Sequence, residues 1–280
     1  MILLHILLLI KYAVTSEIFV CSETYENLGP KTRPELSEHA VRDLINRLIV
    51  KRAQCFNVTI IPQIKSNHKD LFRVKKIDDY VVITASSGVA AAWGFHYYLK
   101  EFLNCHISWD GDQISFPDTL PDVDIEVVAN DRFRYYQNVC TTSYSFVWWD
   151  WERWEREIDW MALNGFNLAL AFTGMEEIWR RVYVKLGLTD REIGEHFAGP
   201  AFLSWNRMGN LRGWGGPLPK SWHRRSVNLQ KRILRRMRLL GITPVLPAFA
   251  GHVPRAFSRI FPSANMTKLD KWNGFPNEFC

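Results

Sequence analysis

The sequence predicts an α/β fold in two parts, a small N-terminal α/β domain followed by the first part of a (β/α)₈ TIM barrel. Three observations predict it. Past residue 131 the pattern runs strand, helix, strand, helix, strand, the order of parallel βα units. The strand Leu168-Ala-Leu-Ala-Phe172 is continuously apolar, as a parallel strand covered on both faces must be. A complete barrel takes roughly 250 residues. Only about 150 follow residue 130, so the barrel is expected to be incomplete.

Residues 1–16 read as a secretory signal peptide. An apolar run over 2–10, broken only by His5, leads to Val14 and Ser16 before Glu17, and it is too short to form a stable membrane span. The small domain takes 17–115. Ala40, Leu44, Leu48 and Ile49 recur at helical spacing within 33–52, and 56–61 is a short β-branched strand. Residues 71–74 and 80–84 flank Lys75-Lys-Ile-Asp-Asp79 as a hairpin. Ser86-Ser-Gly88 then opens a helix to about 104, with Val89, Trp93, His96, Leu99 and Leu103 on one face. Two prolines and several acids make 116–130 read as a linker.

The barrel part takes 131–280. Its first strand is 133–140; Asp150 caps a helix with Trp151, Trp154, Ile158 and Met161 on one stripe, closed by Gly165; 166–172 is the second strand. Residues 173–219 read as a loop-rich insertion. Val227, Leu234 and Met237 mark the next helix, Gly241 ends it, and 243–249 is the third strand.

Composition narrows the function. Two sequons, at Asn57 and Asn265, fit a chain in the secretory pathway and require both sites at the surface. Five cysteines are too few for a disulfide-stapled miniature fold. The charge of +6 suits an acidic polysaccharide or a solvated basic helix, and no Lys/Arg run is interleaved with aromatics as in a nucleic-acid binder. Histidines and cysteines lack metal-ligand spacing, so neither a metal nor a cofactor is inferred. Of the 12 tryptophans, several cluster at 148–160 and 205–222, where they could serve as sugar platforms or simply as core.

In a barrel the working residues sit at the carboxyl ends of strands. Those ends carry Asn138-Val-Cys140, then Thr173-Gly-Met-Glu-Glu177, then Ala250-Gly-His-Val-Pro254. Cys140 could be a nucleophile or a small packing residue at a pocket floor, and no local Cys/His signature favours the former. Glu176 and Glu177 stand at a helix start, where the dipole favours acids without any catalytic role.

The strings Phe133-Arg-Tyr-Tyr-Gln-Asn-Val-Cys140, Ser143-Tyr-Ser-Phe-Val-Trp-Trp-Asp-Trp151, Trp154-Glu-Arg-Glu-Ile-Asp-Trp-Met-Ala-Leu-Asn-Gly165, Gly199-Pro-Ala-Phe-Leu203 with Trp205, Arg207-Met-Gly-Asn210 and Thr243-Pro-Val-Leu-Pro-Ala-Phe-Ala-Gly-His-Val-Pro254 closely resemble the lysosomal α-N-acetylglucosaminidases of glycoside hydrolase family 89. The resemblance implies a retaining, metal-free enzyme that cleaves terminal α-linked N-acetylglucosamine from heparan sulfate. It implies a sugar pocket at Asn138, Cys140, Trp205, Met208 and Trp272. Asn138 would hydrogen-bond the sugar, Trp205 and Trp272 would form apolar walls, and Cys140 and Met208 would shape the pocket. The family's two catalytic glutamates belong to later strands, beyond residue 280, so this chain is expected to be inactive alone. Two rival readings are a non-catalytic carbohydrate-binding product and an unrelated secreted enzyme working through Cys140 or His252. The oligomeric state is left open, a homo-oligomer of a full-length form included.

Overall fold

The computed structural model describes residues 28–270 and 272–275; the signal-peptide reading over 1–16 lies outside them. Helix α1 (Pro34–Leu48) starts at a proline suited to a first turn and buries Ala40, Val41, Leu44 and Ile45. It leads to β1 (Phe56–Ile60), β2 (Leu71–Ile77) and β3 (Tyr80–Ala85). The hairpin forms as its spacing predicts, with Ile77 opposite Tyr80 across Asp78, whose φ is +51°. Helix α2 (Gly88–Leu103) is capped by Ser87, whose hydroxyl accepts from the Ala90 N–H at 3.1 Å. A short hairpin, β4 (His106–Ile107) and β5 (Asp112–Gln113), follows.

One expectation fails at residues 116–130. Asp124–Val128 forms β6, an edge strand antiparallel to β2 in a sheet ordered β1-β3-β2-β6. Its acids, read as linker polarity, are the outward half of a strand alternation: Asp124 pairs with Lys75 at 2.8 Å, and Glu126 with Arg73. The opposite face, with Phe56, Val58, Phe72, Val74, Val81 and Ile83, is covered by α1 and α2.

The barrel part contributes three parallel strands, β7 (Tyr135–Tyr136), β8 (Leu168–Leu170) and β9 (Thr243–Val245), in register at Tyr135, Leu168 and Thr243. All three are shorter than the apolar runs suggest. Pairing stops where the chain turns off the sheet: after β7 the Asn138 side chain takes up the Cys140 N–H at 2.8 Å. Helix α3 (Trp151–Leu163) is capped by Asp150, which accepts from the Arg153 N–H. The insertion at 173–219 is helical, and contains α4 (Met175–Lys185), α5 (Asp190–His196) and α6 (Leu203–Arg207) over a satellite core of Tyr183, Leu188, Ile193, Phe197, Leu203 and Leu218. Helix α4 hides in the sequence because its Ile178 and Val182 face outward. Helix α5 had a signal: Thr189 and Glu192 form a complete capping box. Helix α7 (Lys220–Leu240) ends at Gly241 with φ +87°, and α8 (Phe257–Ile260) is one turn.

The two parts share one continuous core. Helix α2 packs on α3, and α1 on α7. Asp159 on α3 receives Arg47 of α1 and Arg236 of α7, each at 2.6 Å. Asp70, at the foot of β2, accepts from Ser87 at 2.8 Å and pairs with Arg134, just before β7. Burial alone would raise the Asp70 carboxyl, but the Arg134 guanidinium outweighs it and holds the group below its usual value. The N-terminus of α2 approaches the end of α7 so closely that a Cβ on Gly88 would lie 2.5 Å from the Leu240 carbonyl oxygen.

Candidate functional site

The carboxyl ends of β7, β8 and β9 open on one side, where ligands of parallel α/β sheets bind. The first side of the site is the turn after β7. The Asn138 carboxamide oxygen accepts from the Cys140 N–H, and the Thr141 hydroxyl donates to the Asn138 carbonyl at 2.7 Å. This fixes the amide so that its NH₂ is the end left to offer a ligand.

Helix α6 is the second side, and hydroxyls staple it to that turn. The Ser204 N–H donates to Ser143 Oγ at 2.9 Å, and Ser204 Oγ donates to the Val139 carbonyl at 3.2 Å. Arg207 at the end of α6 reaches Thr142 Oγ1 at 3.1 Å and the Glu176 carboxylate at 2.7 Å. Loops after β7 and β8 are thereby strapped together through one guanidinium, which also lies 5.6 Å from the Phe172 ring centre. Within this frame Trp205 stands edge-on to Tyr144, with ring centres 5.2 Å apart. A cavity of about 190 Å³ results, walled by Val139, Phe172, Met175, Ser204, Arg207 and Met208, with Pro247, Ala248 and Ala250 from beyond β9.

Sequence reasoning selected Asn138, Cys140, Trp205 and Met208; the structure bonds the turn carrying the first two to the helix leading into the last, and of the four Met208 lines the cavity. Cys140 is a half-buried free thiol. Trp272 is held apart: it stacks on Phe275, which meets Trp214, which meets Phe202 one residue ahead of α6. Arg207, Ser204 and Thr142 were missed as site-builders, although Arg207 opens one of the strings quoted above. Gly209 has φ +77°, and a Cβ there would lie 2.5 Å from the His252 ring, so the turn after α6 and the loop after β9 fit only through glycine.

Buried acids near the strand ends are committed elsewhere. Glu176 is spent on Arg207. Glu177 receives Arg180 and Arg181, and hydrogen bonding from Arg180, helped by Arg181, holds its carboxyl below the usual range despite burial. His223 lies 3.5 Å from Glu177, and burial pushes its imidazole down. Deeper, Tyr136 donates to Glu157 at 2.9 Å, and burial raises that carboxyl. Asn57 and Asn265, the sequon asparagines, are both exposed. Among the described residues no helix is long and apolar enough to cross a membrane, and no group of three or more His, Cys, Asp or Glu could hold a metal.

The profile of the alpha-N-acetylglucosaminidase (NAGLU) tim-barrel domain matches residues 134–280, and that of its N-terminal domain matches 39–122. The alpha-N-acetylglucosaminidase of Homo sapiens is 61% identical over 197 residues, which is 70% of this chain and 26% of the human protein. The match therefore takes in about a quarter of that relative's length. Among solved structures, a family 89 glycoside hydrolase from Clostridium perfringens in complex with 2-acetamido-1,2-dideoxynojirmycin is similar at 33% identity and a TM-score of 0.83, over 96% of this chain and 30% of that one. A form from the same organism with two Glu-to-Gln substitutions, in complex with its substrate GlcNAc-alpha-1,4-galactose, matches at the same identity, TM-score and coverage.

Proposed function

This chain belongs to the α-N-acetylglucosaminidase family, and we propose from that premise that it is the sugar-holding N-terminal part of a retaining exo-glycosidase that removes terminal α-linked N-acetylglucosamine from heparan sulfate. One observation carries the reading. The turn that carries Asn138 and Cys140 is bonded to the helix that carries Trp205 and leads into Met208, at the carboxyl ends of parallel strands, and Met208 lines the apolar-walled cavity there. Asn138, its oxygen already engaged, offers its NH₂ to a hydroxyl or the acetamido carbonyl of the sugar. Trp205 supplies an apolar face and Cys140 and Met208 shape the floor, while Trp272, stacked on Phe275, stands apart from this wall.

The chemistry sets a further requirement. In an α-linked N-acetylglucosaminide the 2-acetamido group lies on the same face as the departing oxygen and cannot displace it from behind, so an enzyme carboxylate must. Retention then needs a nucleophile and an acid/base roughly 5–5.5 Å apart. Every buried carboxylate among the described residues is already occupied: Asp70, Asp159, Glu176 and Glu177 by arginine, and Glu157 by Tyr136. We therefore expect this chain to bind the sugar without cleaving it. Exposed sequons and an apolar leader support passage through the secretory pathway to the lysosome, with glycans on Asn57 and Asn265.

The test pairs two measurements on the purified chain. A fluorogenic α-N-acetylglucosaminide should show no turnover above blank, while titration calorimetry should detect N-acetylglucosamine binding that Asn138→Ala weakens by about tenfold, the loss of one or two sugar hydrogen bonds. Turnover refutes the account of the carboxylates. Absence of binding, or binding indifferent to Asn138→Ala, refutes the pocket.

A further inference from the structure

Beside the strand-end cavity lies a larger groove of about 630 Å³. It runs between the 142–154 segment and the first half of α7, and Arg207 lines both hollows. Its volume lies within the roughly 300–1,000 Å³ that accommodates a ligand of several rings. Two properties define its chemistry.

It is aromatic in an ordered way. Trp148 is 67% exposed and stands edge-on to Trp222 at 5.9 Å, while Phe146, Trp149 and Trp154 pack on one another behind it as a fixed backing. It is also cationic without being neutralised. Arg232 is laid over the Trp151 ring at 4.2 Å and Arg225 over Trp222 at 5.3 Å. Neither of these, nor Arg224, forms an ion pair with any described acid. Of the two acids in the lining, Glu176 is matched by Arg207 and Asp150 is engaged in capping α3. A stacked guanidinium loses little further freedom on binding and still presents its planar N–H donors, a geometry suited to sulfate or carboxylate oxygens. Indole faces beside it suit the apolar C–H face of a sugar ring.

We propose that this groove binds an anionic oligosaccharide, with Arg225 and Arg232 on its sulfate or carboxylate groups and Trp148 and Trp222 against its rings. Arg207, held between Thr142 and Glu176, is the wall that the groove shares with the strand-end cavity, and the chain bound in the groove is then the remainder of the glycan whose terminal sugar enters the cavity. That continuity rests on the function proposed above. The anionic saccharide chemistry rests on the groove alone.

The probe is a heparin-derived hexasaccharide, titrated calorimetrically into the 280-residue chain at moderate salt, against chitohexaose as an uncharged hexamer. Arg225→Gln with Arg232→Gln should weaken hexasaccharide binding by about tenfold or more, since two charge-assisted contacts are lost. The same charge change on the same helix outside the groove, Arg235→Gln with Arg238→Gln, should weaken it by only about twofold through the general field. Trp148→Ala, which empties an exposed position, should weaken it without lowering the unfolding temperature. Equal losses from the two double variants, or duplex DNA competing as well as the hexasaccharide, would overturn the groove in favour of an unselective polyanion surface. If N-acetylglucosamine binds as proposed and the hexasaccharide does not distinguish the variants, the groove fails alone; if the hexasaccharide distinguishes them and the monosaccharide does not bind, the strand-end pocket fails alone.

Discussion

Replacing Asp159 with alanine should loosen the junction between the two parts of the molecule. Its carboxylate accepts two bonds from Arg47, at 2.6 and 3.1 Å on one oxygen, and two from Arg236 at the same distances on the other. The side chains of Asp159 and Arg236 are 6% and 8% exposed, while that of Arg47 is 35% exposed and also lies 3.9 Å from Glu155. With the carboxylate gone, Arg47 keeps water and Glu155, but Arg236 is left as a buried cation without a counter-charge. Stranding one partner of a buried pair costs about 3–5 kcal/mol. For a domain of this size that corresponds to a fall in unfolding midpoint of about 6–20 °C, at roughly 2–4 °C per kcal/mol. Differential scanning calorimetry at neutral pH measures it. Arg47→Met should cost much less, because Asp159 then remains paired with Arg236. The triple variant Arg47→Met, Asp159→Leu, Arg236→Met should recover to within about 2 kcal/mol of the parent, since an apolar replacement removes both charge and penalty. A midpoint for Asp159→Ala within 2 °C of the parent, well inside the roughly 6 °C lower bound set by a stranded charge, would refute this reasoning.

Two further outcomes follow from the same structure. Burial depresses both His96 and His223 below 6.5, so the unfolded chain takes up those protons at a higher pH than the folded one. Their contribution is complete above about pH 6.5 and is lost as the pH falls from there toward the folded values; denaturant melts at pH 7 and pH 5 should show the loss, and His96→Gln with His223→Gln should flatten the slope, an unchanged slope disproving the assignment. Gly209→Ala and Gly251→Ala both place a Cβ at positive φ, +77° and +89°, but only the first meets a neighbour, the His252 ring at 2.5 Å. Gly251→Ala should cost about 1–2 kcal/mol from backbone strain alone, and Gly209→Ala that plus about 1–3 kcal/mol of overpacking, with weaker N-acetylglucosamine binding; equal costs in urea unfolding would show that the contact does not matter.

Some of the candidate site could be read before any coordinates. Asn138 and Cys140 follow the first barrel strand directly, so the rule that strand ends carry function finds them, and Trp205 and Met208 sit in the strings that carry the family resemblance. Arg207 was not singled out, because its role is a meeting of three segments: it binds Thr142 and Glu176, 65 and 31 residues away. Ser204 is invisible for the same reason, since a serine declares nothing until a carbonyl such as that of Val139 lies in reach. The groove at 142–154 and α7 was half legible, as a tryptophan cluster and as a basic helix.

By itself the sequence determined what depends on near neighbours. Helical periodicity, the serine and aspartate caps of α2 and α3, the hairpin and the parallel βα order are all set by residues a few places apart, where propensity and hydrogen bonding act without help. Tertiary structure decided what depends on distant partners. It made an edge strand of acids at 124–128 by setting Lys75 and Arg73 opposite them. It made helices of 173–219 by giving Tyr183, Ile193 and Phe197 a core of their own, and it set Arg225 and Arg232 over indoles beside the cavity. The energy of such contacts is realised only once chain closure has brought the partners together, and no local pattern encodes that closure.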